Sequence, residues 1–138
     1  METIRYYAAA RAADIVVGTY GPEYRLGPEG CTYTDRDEFW DSEKLEYTTG
    51  PLRSVCIVGK IFESLGVALE TMEYKGVLSM ARLSFEEDGV VMTDKAFLFL
   101  DTMQAIQDSG CAWGDAKKYA VAVVAHHQFD SDEKLIRL

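Results

Sequence analysis

The chain of 138 residues carries 23 acidic side chains against 14 Lys and Arg, a formal net charge of −9. That length suits one domain that buries roughly two-thirds of its unfolded surface, so neither disulfides nor metals are required to hold it. A hydrophobic content of 48% excludes a disordered chain, and the acidic surplus excludes a protein that wraps a nucleic-acid backbone, which needs clustered Lys and Arg.

The longest apolar run, residues 119–125, has seven residues, far short of the roughly 18 needed to span a bilayer. Glu2, Arg5 and Arg11 interrupt the opening residues where a secretory leader would carry an apolar stretch, so no export is expected. Three cysteines, Cys31, Cys56 and Cys111, without a CxxC spacing, suit a reducing compartment. The expected location is the cytoplasm, with no membrane contact and no direct nucleic-acid partner.

In chain order, Ala-rich residues 3–14 predict a first helix, which should fail where Ile15, Val16 and Val17 run into Gly18. A turn-rich connection follows, with short strands expected at residues 24–26 and 31–33. Residues 35–46 then gather eight charged side chains, six of them acidic, around Phe39 and Trp40. This 35–49 acidic loop has two readings: its aromatics anchor a surface loop to the core, or they form a binding loop inside an acidic rim. The residues that would carry the second reading are Asp35, Asp37, Glu38, Phe39, Trp40, Asp41 and Glu43.

A helix is predicted over residues 52–65, begun by Pro51 or capped by Ser54 and stopped by Gly66. Two short helices should follow around Leu69–Glu73 and Val77–Leu83, then a polar turn at residues 86–89. Thr93 is a good N-cap for a helix over residues 94–108 that Gly110 ends, and the last helix spans residues 115–127. The tail, residues 129–138, either packs or remains mobile.

Little of this pattern carries chemistry. Cys56, in the first turn of a helix capped by Ser54, is a reactive-thiol candidate, because the positive helix end favours a thiolate; its apolar neighbours argue for a buried structural cysteine instead. His126 and His127, adjacent near a helix end, point about 100° apart and suit capping of the last carbonyls better than metal binding. No calcium-loop spacing and no phosphate-binding glycine motif is present, and no catalytic residue, cofactor or metal is expected. Gly59 in mid-helix costs about 1 kcal/mol relative to Ala, which predicts close approach of another helix or of the strand containing Cys31.

The Ser54-Val-Cys-Ile-Val-Gly59 segment, together with Gln104, Gln107-Asp-Ser-Gly110 and Trp113-Gly-Asp-Ala116, resembles a group of small proteins encoded by actinobacterial phages. The resemblance covers roughly residues 31–120 and implies a phage accessory protein without an assigned reaction; it transfers no active-site residue. The acidic segment is longer in this chain than the link such proteins have. Trp113 should wedge into the core at a helix–turn–helix corner whose few cations do not suit duplex DNA.

The expected fold is α+β, a mainly helical single domain over residues 1–138 with a short β hairpin in its N-terminal half. The expected function is a phage-encoded accessory protein that binds and modulates a host protein with a basic surface, in the host bacterial cytoplasm, without catalysis. The alternative is a small-molecule or nucleotide-signal binding protein using Arg36, Arg53 and Lys60 in an oligomer, and a Cys-dependent enzyme ranks below it. A homo-oligomer is compatible with either.

Overall fold

A computed structural model describes residues 2–26 and 32–136. Its elements are α1 (Tyr6–Tyr20), β1 (Thr34–Asp35), β2 (Glu38–Asp41), β3 (Glu46–Thr49), β4 (Arg53–Ser54), α2 (Ile57–Ser64), α3 (Leu69–Met72), α4 (Leu78–Glu87), α5 (Asp94–Asp108) and α6 (Trp113–Ala125). The fold is α+β and mainly helical, as expected.

Helix α1 does not stop at Ile15. It buries Ala9, Ala12, Ala13, Val16 and Val17 along one stripe, so the β-branched pair extends its core face and the burial outweighs their modest helix propensity. The helix ends at Gly21, whose φ of 93° only glycine adopts without strain. The strand expected at residues 24–26 is absent: Tyr24 instead packs edge-on against Trp113, with ring centroids 4.5 Å apart. Cys31 lies outside the described residues.

Helix α2 starts later than either predicted cap. Arg53 and Ser54 form β4, and Cys56 is the N-cap, its Sγ accepting the Gly59 amide at 3.1 Å. Gly59 is where the strand entering β1 comes closest: a Cβ there would lie 2.4 Å from the Tyr33 carbonyl oxygen. The short helices α3 and α4, Thr93 capping α5 through the Ala96 amide, and Gly110 with φ 95° after α5 all follow the predicted pattern. Helix α4 continues through Glu86 and Glu87, leaving Asp88 and Gly89 as the turn.

Helix α5 organises the interior. Its buried Gln107 accepts the first amide of α2, Ile57 N–H, at 2.7 Å, and its buried Gln104 accepts the first amide of α4, Leu78 N–H, at 3.0 Å. Both neighbouring helix starts therefore satisfy orphan donors on one face of α5. Trp113 is fully buried at the α5–α6 corner, and Gly114 lets the chain pass against Pro22, where a Cβ would lie 2.7 Å from the proline ring.

The tail packs over residues 129–136. Glu133 accepts both the Tyr6 amide and the Thr93 hydroxyl at 2.8 Å, and the Leu135 amide donates to Asp94 at 2.9 Å, tying the tail to the starts of α1 and α5.

Candidate functional site

Strands β1 to β4 form one antiparallel arm in two ladders. Thr34 and Asp35 pair with Ser54 and Arg53 at the root; Glu38 to Asp41 pair with Thr49 to Glu46 beyond it. Between the ladders, Arg36 and Asp37 oppose three residues, Gly50, Pro51 and Leu52, so a bulge with a strand-breaking proline bends the arm. At the tip, the Asp41 carboxylate accepts the Glu43 and Lys44 amides at 3.0 and 3.1 Å, and Leu45 closes the turn with a φ of 53°.

The root is held by charge. Arg53 grips Asp37 through two hydrogen bonds of 2.8 and 2.9 Å with Asp35 at 3.7 Å, and Arg36 donates to Glu73 at 3.0 Å. The carboxylate partners raise both guanidinium pKa values further above their ordinary range. Asp35 and Asp37, two of the sequence-predicted interaction residues, are thus consumed in a structural clasp. Glu38, Asp41, Glu43 and Glu46 make no ion pair among the described residues, and Lys44 is the one cation beyond the clasp.

The aromatics do not anchor the segment to the core. Phe39 and Trp40 are each 55% exposed and Tyr47 is 69% exposed. Trp40 and Tyr47 share one face of the arm in an edge-to-face pair with centroids 5.1 Å apart; Phe39 lies on the other face, against Gly50. β2 and β3 pair only with each other, and none of their residues on either face is buried.

The exposed surface continues past the root. A concavity of about 310 Å³ joins Glu38 and Thr49 to Tyr74, which is 97% exposed and held at a φ of 65°. A non-glycine residue at positive φ is uncommon, and here it presents a tyrosine to solvent. Met80 and Leu83, one turn apart on α4, are also exposed. Tyr47 lies inside the 35–49 segment but only the strand register pairs it with Trp40, and Tyr74 lies outside that segment and reaches this surface through one backbone angle.

The other candidates are placed elsewhere. Cys56 is buried, and desolvation pushes its thiol up to about 12 despite the Gly59 amide, which makes it a capping group with little thiolate at neutral pH. Arg53 and Lys60 line one open groove of about 540 Å³ between α1 and α2, but Lys60 is already bonded to the Ser54 carbonyl at 2.9 Å, and Arg36 faces Glu73 instead. His127 Nδ1 lies 2.8 Å from the Val123 carbonyl, the helix-end role expected of it. Among the described residues no group of His, Cys, Asp and Glu is placed to hold a metal ion, and no helix is long and apolar enough to cross a membrane. Comparison with known proteins finds no matching family model, no similar curated protein and no similar solved structure.

Proposed function

We propose that this chain is a non-catalytic accessory protein of the phage kind its Ser54–Gly59 and Gln107–Ala116 segments resemble, which captures a basic host protein in the bacterial cytoplasm through the β2–β3 arm. One observation carries the reading: Trp40 and Tyr47, which a folding core would bury, are paired and exposed on an arm whose unneutralised charges are almost all acidic. Large aromatics dominate binding energy when a partner desolvates them, and the acids steer a cationic surface toward them. The clasp at the root supports the same reading, because a pre-oriented arm loses less entropy on binding.

The test compares wild-type protein with a Trp40→Ala, Tyr47→Ala variant as immobilised baits in a bacterial lysate at low and moderate salt. The proposal predicts a retained protein that the variant does not retain, with weaker capture at higher salt. Identical sets on both baits, or nothing retained by either, contradict it.

A further inference from the structure

We propose that the outer edge of β2 receives an extended segment of the partner as a third strand, in the order basic–apolar–apolar–basic opposite Glu38, Phe39, Trp40 and Asp41. This rests on the reading of the arm as the binding surface and specifies how that surface is used.

The register sets which backbone groups are free. The Gly50 amide donates to the Asp37 carbonyl at 2.7 Å, which makes Asp37 and Gly50 a hydrogen-bonded pair. Antiparallel pairs alternate, so Phe39–Thr48 and Asp41–Glu46 are also hydrogen-bonded, whereas Glu38–Thr49 and Trp40–Tyr47 are not. The amides and carbonyls of Glu38 and Trp40 therefore point away from β3, and neither residue makes a backbone hydrogen bond to any other described element. The close approach of Trp40 and Tyr47 side chains fits a non-hydrogen-bonded pair.

An isolated two-stranded ribbon is marginal in water, and an open edge is a template for strand addition. The edge of β2 presents acids at both ends with the two aromatics between them, one on each face. Cross-strand neighbours interact directly, so a cation is favoured opposite Glu38 and opposite Asp41, and apolar side chains opposite Phe39 and Trp40. The edge of β3 has one acid, Glu46, and offers no such frame. A second copy of this chain is disfavoured on the β2 edge, since a two-fold antiparallel β2–β2 pairing sets Glu38 opposite Asp41.

The test uses the full-length ¹⁵N-labelled protein at low salt and three acetylated, amidated peptides. The first is Lys-Thr-Lys-Val-Val-Lys-Thr-Lys; the second replaces the inner pair of lysines with glutamates; the third is the first with its interior amides N-methylated. The expected result is slowed exchange of the Glu38 and Trp40 amides by the first peptide, with the second binding roughly tenfold more weakly and the third giving no protection. Equal binding of the N-methylated peptide, with Trp40 side-chain shifts, overturns strand addition while leaving the arm as a surface for a basic partner. Protection of Tyr47 and Thr49 in place of Glu38 and Trp40 overturns the assignment to β2. No arm shift with the first peptide also overturns strand addition, and the lysate comparison then decides the broader reading by itself.

Discussion

Trp40 and Tyr47 face each other across the β2–β3 ladder, ring centroids 5.1 Å apart and planes at 68°, with both side chains open to solvent. An edge-to-face pair of this kind adds about 0.5–1 kcal/mol to the ribbon that carries it. It adds little to the body of the protein, because the arm packs on no layer. Trp40→Ala should therefore lower global stability by no more than about 1 kcal/mol. Binding of a basic partner should fall by roughly tenfold or more, the scale of a lost aromatic anchor. Thermal melts of the two proteins, beside their binding isotherms, check both halves of this expectation.

Glycine substitutions should differ in sign. Gly59→Ala gains about 1 kcal/mol of helix propensity, yet its Cβ would meet the Tyr33 carbonyl oxygen at 2.4 Å. Tyr33 cannot retreat readily, being buried against Phe62 and Phe85. The expected net loss is about 1–3 kcal/mol. Gly18→Ala, in α1 with open space around the added methyl, should gain about 0.5–1 kcal/mol. Denaturant unfolding of both variants tests the pair, and equal signs would count against the close Tyr33–Gly59 approach.

Gln107→Leu removes the acceptor from the Ile57 amide and leaves that donor buried. The cost should be about 1–3 kcal/mol, with a similar loss for Gln104→Leu at the Leu78 amide. Denaturant midpoints report the loss, and amide exchange at residues 57 and 78 should accelerate in the respective variants.

Cys56 predicts an alkaline weakness. Folding raises its thiol from the ordinary 9.0 to about 12, so the unfolded chain releases that proton first. The associated stability is complete below pH 9.0 and is lost as pH rises toward about 12. Cys56→Ser keeps an oxygen to accept the Gly59 amide but removes this titration. The dependence of stability on pH above 9.0 should flatten by on the order of 1 kcal/mol per pH unit relative to wild type. Alkylation in the native state at neutral pH should label the partly exposed Cys111 well before Cys56.

Helices with strong local signals were legible in the chain alone. Thr93 and Gly110 bracket α5 because capping and a left-handed stop are chemical requirements of a few residues. Gly59, which the structure places in the first turn of α2 and not in mid-helix, likewise announced a close approach, made by Tyr33 just before β1. Boundaries set by distant partners were not legible. Helix α1 runs past Ile15 because Val16 and Val17 reach the core, and α2 waits for Cys56 because β4 must first return to pair with β1.

A β hairpin in the N-terminal half was expected, but its strands were not placed in the acidic segment, for one physical reason. A strand shows a period of two when one face is buried, and β2 and β3 bury neither. Sequence alone therefore singled out Glu38, Phe39, Trp40, Asp41 and Glu43 as candidates but could not pair Trp40 with Tyr47. Nor could it assign Asp35 and Asp37 to the Arg53 clasp, an ion pair that spans the bulge.

The most direct measurement places a photo-cross-linking phenylalanine analogue at Phe39, on the exposed arm, and in a second protein at Tyr119, exposed on α6 away from it. Irradiation in host cells should yield a discrete adduct with a basic protein from position 39 and none from position 119. An adduct from position 119 alone, or none from position 39, would contradict the arm as the binding surface.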